Sequence, residues 1–535
     1  MKKYLLPTIT IVCLMIGFMV GSGLTKAHAQ RYYIQNGRIY SQPDSKVEQL
    51  LQLMSAAYVD SLNVDSITEE VMQDLVKRLD PHSAYIPKED LEMVNSELAG
   101  SFSGIGVQFS IQNDTVQIVA VIAGGPSEGI GLLAGDKIIE VDDSVFVGKK
   151  MNNEKVMHTL RGEKGTKVKL GILRNGTDEV LYFTVTRGDI PVHSVDAQFL
   201  INNTIGFVRV NKFGETTYNE FIKALSSLKS KGATSYIVDL RENSGGYMEQ
   251  AIRMANEFLS SGDMIVYSEG RAYPRYEAVA NSTGRFHNVP LVVLIDNYSA
   301  SASEIFAGAM QDTDRATIIG RRSFGKGLVQ QQMPFYDGSA IRLTVARYYT
   351  PSGRCIQKPY TLGEQTDYEK ELFDRYEHGE LYSADSIHFQ DTTLYYTRSG
   401  RIVHGGGGIM PDIFVGFDTT LNTPWYNRVV NHAYTYQFAL KYTNAHRDEL
   451  NQFKDWQALE KHLLAANWLP ELVTFCKDKG IEPDQAQIAK STPLITRLIN
   501  SYIVRNILGD EGFFPLFERD DQITQKAVET LTIKK

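Results

Sequence analysis

The residues best suited to chemistry stand where an apolar run gives way to small polar residues. Leu291–Ile295 is a continuous apolar run typical of a buried strand, and the residues after position 303 are mostly helix formers. Ser299, Ser301 and Ser303 alternate with alanines between the two. A hydroxyl at the start of a helix lies beside unpaired amides and the positive end of the helix dipole, which stabilise an oxyanion. The stretch is therefore a candidate nucleophile site, although serine more often caps a helix in this position.

A lysine downstream of this stretch, Lys326, admits three interpretations. The first is a phosphate loop, because Gly320, four further residues, Gly325 and Lys326 match its spacing; Gly327 argues against it, since magnesium requires a serine or threonine there. The second is a Ser-x-x-Lys pair with Ser323, but the glycines beside Lys326 favour a turn over the helical turn that this pair requires. The third pairs Lys326 with one of the upstream serines.

The third interpretation agrees with a known family. Ser301, Lys326 and Gln330 resemble the catalytic residues of the carboxyl-terminal processing (tail-specific) serine peptidases. In that family the base is a lysine 25 positions after the nucleophile, and a glutamine four positions further on orients it, as in this sequence. The resemblance implies no cofactor. It also implies an oxyanion hole of backbone amides, which here fall on Gly245, Gly246 and Ala302.

The implied mechanism requires an unusual lysine. A lysine accepts a proton only when neutral, so the pKa of Lys326 must fall from about 10.4 to roughly 7 or 8 through burial away from carboxylates. Neutral Lys326 would take the proton of Ser301 as the hydroxyl attacks a peptide carbonyl and forms an acyl-enzyme. The resemblance therefore implies a buried lysine beside Ser301.

A second functional element precedes these residues. Residues 98–188 alternate short strands with glycine turns, and both Gly104-Ile105-Gly106-Val107 and Ala134-Gly135-Asp136 resemble segments of PDZ domains. Consecutive amides in such a turn can hold a terminal carboxylate while the next strand pairs with an extended peptide. We expect an apolar last side chain in a groove lined by Val107, Phe109, Val156 and Leu160.

Changes of pattern divide the chain into five parts. The alternation of strands and helices in the fourth is typical of an α/β fold, and the resemblance implies a crotonase-like topology. Within it, residues 364–391 hold nine acidic residues and are interpreted as a solvated surface insertion. The parts are a signal peptide or membrane anchor over 1–29, a helical segment over 31–95, a PDZ domain over 98–188, a peptidase core over 189–417 and a C-terminal helical region over 418–535.

The N-terminus has the pattern of an export signal. Met1-Lys2-Lys3 precedes an apolar stretch that runs to Leu24, and Ala27-His28-Ala29 follows. An apolar stretch of roughly 20 residues is also long enough to remain as a membrane anchor. Both outcomes place the remainder outside the cytoplasm, in the periplasm or at the outer face of the inner membrane.

The composition excludes one large class of partner. Lys and Arg number 55 against 63 Asp and Glu, for a net charge of −8, and no long basic block occurs in the sequence. Nucleic-acid binding requires a clustered positive surface, so we expect no nucleic-acid partner. The sequence also lacks a His-Glu-x-x-His motif, and we expect no metal site.

Together these features predict an exported endopeptidase. Its PDZ domain would capture the unstructured, apolar C-terminal tail of a protein and deliver it to a Ser-Lys site. An alternative from a different class is a non-catalytic PDZ scaffold that binds C-terminal tails, although nothing in a scaffold would require Ser301, Lys326 and Gln330 together. The sequence leaves membrane anchoring and self-association open.

Overall fold

Two compact units make up the chain, residues 1–76 and 77–535. The computed structural model describes residues 32–35, 38–41, 45–96, 98–112, 114–122, 124–174, 177, 179–388 and 391–533. The predicted export signal at 1–29 lies outside these residues. Among the residues that are described, no helix is both long and apolar enough to span a membrane.

The first unit is not wholly helical, which differs from the helical segment predicted for residues 31–95. Two short strands, β1 (Tyr32–Gln35) and β2 (Arg38–Ser41), pair antiparallel before the helices α1 (Lys46–Ala57) and α2 (Val64–Val76). The strands are rich in aromatic and β-branched residues on either side of an Asn-Gly dipeptide, which is the sequence signal of a hairpin. That local signal explains the difference from the helical prediction.

The second unit contains the remaining elements. Its strands are β3 (Ala84–Ile86), β4 (Ser101–Gly104), β5 (Val107–Gln112), β6 (Thr115–Val121), β7 (Lys137–Val141), β8 (Ser144–Val145), β9 (Lys167–Leu173), β10 (Val180–Thr186), β11 (Gly188–Pro191), β12 (Val195–Ile201), β13 (Ile205–Val210), β14 (Ser235–Asp239), β15 (Met264–Glu269), β16 (Tyr276–Val279), β17 (Leu291–Ile295), β18 (Thr317–Gly320), β19 (Leu328–Pro334), β20 (Ala340–Tyr349), β21 (Leu394–Tyr396), β22 (Ile402–His404) and β23 (Ile413–Phe414). Its helices are α3 (Lys88–Ser96), α4 (Asn153–Leu160), α5 (Thr217–Ser230), α6 (Met248–Asn256), α7 (Ala302–Asp312), α8 (Gln365–Glu377), α9 (Pro424–Asn431), α10 (Tyr434–Ala445), α11 (Arg447–Leu450), α12 (Trp456–Ala465), α13 (Leu469–Asp478), α14 (Gln485–Leu508), α15 (Asp510–Arg519) and α16 (Gln522–Ile533).

A six-stranded sheet in the order β12-β13-β14-β17-β18-β23 forms the α/β core. All of its pairs are parallel except β12 with β13. Helices α5, α6 and α7 pack on one face, and the last helix, α16, packs on the other. Coverage on both faces explains why β17 is apolar at every position and wholly buried.

An antiparallel sheet, β16-β15-β20-β19, lies beside this core, and β3 pairs with β20. The strand β19 follows directly after Lys326, so the β19–β20 hairpin positions the lysine segment. The pairing of β3 also joins residues 84–86 to the core, which the separate helical segment predicted over 31–95 did not include. The reason is the sequence Ala84-Tyr85-Ile86, which is too short to show a strand pattern by itself.

The strand-rich part predicted at 98–188 forms its own sheet in the order β10-β9-β7-β6-β5, with β8 against β7. Strand β5 is at the edge of this sheet and, among the described strands, has β6 as its one neighbour. A separate pair, β4 with β11, brings the two ends of this part together. An edge strand leaves a row of backbone groups available for pairing with an extended peptide.

The C-terminal helices form a second large apolar cluster of their own. They also contact the strand-rich part, where the hydroxyl of Tyr436 donates to the carbonyl of Val119 at 3.3 Å. Their last member, α16, places Ile523, Ala527 and Leu531 against the central sheet. The C-terminal region is therefore integrated into the core.

The acidic stretch 364–391 is largely the solvated surface stretch that its composition predicted, because six of its nine acidic residues are exposed. The exception is Glu380, which is 5 % exposed, and helix α8 also buries Tyr368 and Arg375. Glu380 accepts two hydrogen bonds of 2.5 Å from the guanidinium of Arg322. This one carboxylate is tolerated inside because a buried cation pairs with it, a property that a count of charges does not reveal.

Candidate active site

The junction of β17 and α7 separates the three serines. The hydroxyls of Ser299 and Ser303 are fully buried and donate at 2.8 Å to the carbonyls of Leu240 and Asn243, respectively. Ser301 instead lines a cavity of about 430 Å³. Its backbone has φ 55° and ψ −113°, a region that non-glycine residues rarely occupy. A strained turn between a strand and a helix presents a nucleophile well, so the geometry favours Ser301.

Lys326 and Gln330 line the same cavity. The ammonium of Lys326 donates to Oε1 of Gln330 at 3.1 Å, and the amide nitrogen of Gln330 donates to the carbonyl of His82. The carbonyl of His82 fixes which end of the amide faces the lysine, because it can only accept. Burial lowers the pKa of Lys326, the charge of Arg342 lowers it further, and Asp80 and Glu304 act in the opposite direction.

The turn that carries His82 is held by a buried carboxylate. Oδ1 of Asp80 accepts hydrogen bonds from the backbone N–H groups of His82 and Ser83 at 3.0 and 3.1 Å, and from the hydroxyl of Thr344 at 2.8 Å. Oδ2 accepts from the hydroxyl of Ser83 at 2.5 Å. These four bonds explain why the pKa of Asp80 is lowered although burial alone would raise it. Neither Asp80 nor His82 stands out in the sequence as a functional residue, although Asp-Pro-His-Ser has the pattern of an Asx turn.

Glu304 bridges the serine and lysine segments from inside the protein. It is fully buried, and its Oε2 accepts from the backbone N–H groups of Ser301 and Lys326 at 2.8 and 2.9 Å. Its Oε1 accepts from the hydroxyl of Ser323 at 2.6 Å and the N–H of Gly325 at 2.7 Å. Burial raises the pKa of Glu304 to about 7, and the four donors oppose that shift. The Ser-x-x-Glu pattern of a capping box was the available sequence signal.

Tyr348 connects the same two segments through their carbonyls. Its hydroxyl lies 3.0 Å from the carbonyl oxygen of Ser301 and 2.6 Å from that of Lys326. Because the ring is 1 % exposed, burial raises the pKa of Tyr348 well above its usual range, so the hydroxyl stays a donor. Glu304 and Tyr348 together fix the relative positions of the candidate nucleophile and base.

The residues predicted to form the oxyanion hole lie close to Ser301, but their backbone N–H groups differ in whether they already donate a hydrogen bond. The N–H of Gly245 donates to the side-chain oxygen of Asn243 at 2.9 Å. Within the described residues, neither the N–H of Gly246 nor that of Ala302 donates a hydrogen bond to another protein group. Gly246 and Ala302 are therefore the amides available to an oxyanion, and Gly245 serves to bring the loop close.

A methyl group at position 245 should block this approach. The Cβ of Gly245→Ala would lie 2.7 Å from Cβ of Ser301 and 3.0 Å from the amide nitrogen of Ala302, at a residue with φ +103°. Because the loop would have to move away from Ser301, we expect peptidase kcat to fall by about 100-fold. Steady-state kinetics at matched folded fraction measures this. A Gly245→Ala enzyme with kcat close to that of the wild type would contradict the placement of the loop.

The charge of Arg342 should influence how kcat/KM depends on pH. Arg342 lines the cavity and lowers the pKa of Lys326, so Arg342→Gln should raise that pKa toward its ordinary value. The acid limb of the profile of kcat/KM against pH then moves to higher pH, and activity on that limb falls several-fold. Arg342→Lys keeps the charge and should leave the limb in place. If both variants gave the wild-type profile, the charge of Arg342 would not contribute to the pKa of the titrating base.

The predicted peptide-binding loop enters the edge strand β5. The carbonyl of Ile105 accepts from the N–H and the hydroxyl of Ser127, and Gly106 has φ +79°. Val107 and Phe109 are half-buried, as lining a groove requires. The other two residues expected to line it, Val156 and Leu160, are buried in the apolar core of this part.

The carboxylates of the site are committed to hydrogen bonds rather than to a metal ion. In the described part of the chain, no group of three or more His, Cys, Asp or Glu side chains is arranged to hold a metal ion. Glu304 and Asp80, the carboxylates nearest Lys326 in the network above, already accept four hydrogen bonds each. The chemistry that the cavity offers is therefore that of its serine, its lysine and its backbone amides.

Profiles of known families match three stretches of the chain. The profile of Peptidase family S41 matches residues 204–370, and that of the PDZ domain matches residues 103–185. A family of unknown function matches residues 425–509 in the C-terminal helices. The predicted resemblance to carboxyl-terminal processing peptidases with a PDZ domain is thereby confirmed.

Individual proteins are also similar. Carboxy-terminal processing protease CtpA of Bacillus subtilis is 35 % identical over 364 residues, which cover 66 % of this chain and 77 % of that protein. The carboxy-terminal-processing protease of Bartonella bacilliformis is 36 % identical over 315 residues, covering 58 % of this chain and 71 % of the relative. The solved structure of a photosystem II D1 C-terminal processing protease aligns with 70 % of this chain and 94 % of its own, at 23 % identity and a TM-score of 0.38.

Proposed function

The chain belongs to peptidase family S41 and is a serine-type carboxy-terminal processing peptidase, and from that premise we propose that it cleaves the C-terminal tails of proteins with a Ser301–Lys326 dyad. One observation carries the proposal: Lys326, with its pKa lowered by burial, bonds to Gln330 in the cavity that Ser301 lines. A lowered pKa increases the neutral fraction of the lysine, and the neutral form is the one that can act as a general base.

The reaction follows from these groups. Neutral Lys326 takes the proton of Ser301 as Oγ bonds to the peptide carbonyl carbon, and the N–H groups of Gly246 and Ala302 donate to the oxygen that becomes negative. Protonated Lys326 gives the proton to the departing amine as the C–N bond breaks. Water then attacks the acyl-enzyme, loses its proton to Lys326, and that proton returns to Ser301.

Substrate selection is assigned to the PDZ domain. Among the strands that the structure describes, β5 pairs with β6 alone, which leaves its other edge open, and Gly104-Ile105-Gly106-Val107 leads into it. A terminal carboxylate in this loop would leave the tail extended along β5, with an apolar last side chain between Val107 and Phe109. Unstructured tails fit best, because a strand can be added only from an extended chain.

The location and the core topology complete the proposal. The apolar, lysine-initiated pattern of residues 1–29 supports export to the periplasm or anchoring to the outer face of the inner membrane. The parallel sheet with helices on both faces supports a crotonase-like core. Neither point is needed for the chemistry.

The direct test compares the wild type with Ser301→Ala. Each is incubated with a folded protein that carries an unstructured, apolar C-terminal tail, and with a fluorophosphonate probe that phosphonylates an activated serine. We expect tail cleavage and one modification at Ser301 in the wild type, and neither in the variant. Tail binding by both proteins without cleavage by either would favour the non-catalytic scaffold. Equal cleavage by both would remove Ser301 from the mechanism.

Gly106→Ala tests the assignment of selection to the PDZ domain. The new Cβ would lie 3.1 to 3.2 Å from Ile190, Gly125 and Pro126 at φ +79°, so the loop must shift. We expect kcat/KM for the tailed protein to fall by about tenfold while hydrolysis of a short peptide changes little. Gly165→Ala is the control, because it has φ +88° in the same domain and no atom within 4 Å of its Cβ. Equal losses on both substrates would contradict the assignment.

A further inference from the structure

The C-terminal helices reach the buried guanidinium of Arg241. Nη1 donates to Asp521 at 2.8 Å, and Nη2 donates to Glu518 at 2.7 Å. Glu518 lies in the last turn of α15, Asp521 directly precedes α16, and the hydroxyl of Thr524 donates to Glu518 at 2.8 Å. Arg241 is 8 % exposed and Glu518 is 1 % exposed. Two carboxylates at the junction of the last two helices therefore help to neutralise a buried charge in the α/β core.

Arg241 begins the loop that approaches Ser301. Two residues further on, Asn243 accepts through its carbonyl from the N–H of Ala300 at 3.0 Å and from the hydroxyl of Ser303 at 2.8 Å. Its side-chain oxygen accepts from Gly245 at 2.9 Å. The segment from Arg241 to Gly246 is thus tied to the serine segment at one end and to the C-terminal helices at the other.

Asp239 holds only one edge of the guanidinium, the edge formed by Nε and Nη2. It accepts from Nε and Nη2 of Arg241, both at 2.8 Å, and it also accepts from Arg209 at 3.2 Å. The Nη1 side of the fork faces Asp521, and Glu518 is the second acceptor of Nη2. Burial alone would lower the pKa of Arg241, but Asp239, Glu518 and Asp521 raise it, so the charge is retained. A planar guanidinium that donates to acceptors along two of its edges is held in one orientation.

We propose that Glu518 and Asp521 are positioning residues for the peptidase reaction, which hold Arg241 and thereby keep the amide of Gly246 directed at the oxyanion formed on Ser301. The inference rests on the proposed function, since it assumes that Gly246 and Ala302 form the oxyanion hole. It assigns a role to the C-terminal helices. Glu518 and Asp521 lie outside the residues that the three family profiles match. The helices act on catalysis through the loop and touch no reacting atom.

The test uses the full chain with Glu518→Gln and Asp521→Asn combined, which removes both charges and keeps the side-chain shapes. The control is Arg519→Gln. Arg519 neighbours Glu518 and makes bonds of 2.7 and 2.9 Å to Glu460, a pair within the C-terminal helices that does not reach Arg241. Both proteins are measured at a temperature where near-ultraviolet circular dichroism shows them fully folded.

The expected result separates positioning from stability. In the double variant kcat for a tailed protein falls by about tenfold or more, KM changes by less than about twofold, and the inhibition constant of a peptide aldehyde rises by the same factor as kcat falls. The aldehyde reports on the oxyanion hole because its carbonyl oxygen occupies that position once Ser301 has added to it. Arg519→Gln keeps kcat within about twofold of the wild type, although its melting temperature also falls.

Three results would overturn the inference: wild-type kcat in the double variant, equal losses in the double variant and Arg519→Gln, or a lower kcat with unchanged aldehyde binding. Failure of the proposed function is a different observation, since it is seen in the wild type and in Ser301→Ala and does not involve position 518 or 521. Should the double variant fail to fold, Glu518→Gln alone is compared with Arg519→Gln by the same three measurements.

Discussion

Lys326→Ala is expected to lower kcat/KM for a tailed protein by about 10⁴-fold or more, because it removes the base that activates Ser301 and the acid that protonates the departing amine. Fluorophosphonate modification of Ser301 should slow by a comparable factor, while binding of the tail to the PDZ domain stays unchanged. The measurements are steady-state kinetics, the rate of modification and the dissociation constant of a tail peptide. They separate a loss of chemistry from a loss of binding.

Lys326→Arg is the informative companion. Arginine keeps the positive charge and can still donate to Gln330, but with a pKa above about 12 it cannot be neutral at any pH used for the assay. An enzyme that needs a proton acceptor at this position loses its activity in both variants. If Lys326→Arg kept more than about a tenth of the wild-type rate, the lysine would act by its charge alone, and the general-base mechanism would be wrong.

Local patterns predicted the parts of the fold and of the site that lie close together in the sequence. Strand β17, predicted from its apolar run, is apolar because both of its faces are covered. Ser301, Lys326 and Gln330 fall within two short segments of fixed spacing. Motifs of this kind can be found in one sequence because the chemistry specifies both the residue types and their order.

The contacts that hold these residues could not be predicted in the same way. Gln330 bonds to the carbonyl of His82 across 248 positions, and Arg241 bonds to Glu518 across 277 positions. No local periodicity relates such residues, because the partners are brought together by the whole sheet. The acidic count of 364–391 predicted its exposed carboxylates but not the buried Glu380, since whether a carboxylate is solvated depends on cations such as Arg322 elsewhere in the chain.

Glu304 shows how a correct local explanation can be incomplete. Its position in the first turn of α7, where a carboxylate complements the helix dipole, explains its presence without any role in the site. The structure adds that the same side chain accepts hydrogen bonds from the lysine segment, including the N–H of Lys326 at 2.9 Å. A residue that caps a helix and also joins two catalytic segments is under two constraints, and the sequence shows only one of them.

Glu304→Gln should therefore reduce both stability and activity strongly. Each carboxylate oxygen accepts from two donors: Oε1 from Ser323 and Gly325, and Oε2 from Ser301 and Lys326. In glutamine an NH₂ group replaces one oxygen, and in either orientation it faces two buried donors. We expect the free energy of unfolding at pH 8, where Glu304 is mainly ionised, to fall by about 2 to 4 kcal/mol, as two buried donors lose their acceptor.

Activity should fall further than the loss of stability explains. With the NH₂ group in place of Oε2, the N–H groups of Ser301 and Lys326 both lose their acceptor; in place of Oε1, it removes the acceptor of Ser323 and Gly325 in the lysine segment. Either loss loosens the connection between the two segments, so the distance between Ser301 and Lys326 is held less firmly, and we expect kcat/KM to fall by about 10³-fold. Urea unfolding and kinetics at matched folded fraction measure the two effects.

Glu380→Gln is the control. This substitution weakens the buried pair with Arg322 but contacts neither Ser301 nor Lys326. The Glu380→Gln protein should therefore be destabilised to a similar extent and keep kcat within about tenfold of the wild type. Similar losses of kcat in the two variants would mean that general loosening of the core, and not the bridge from Ser301 to Lys326, limits the reaction.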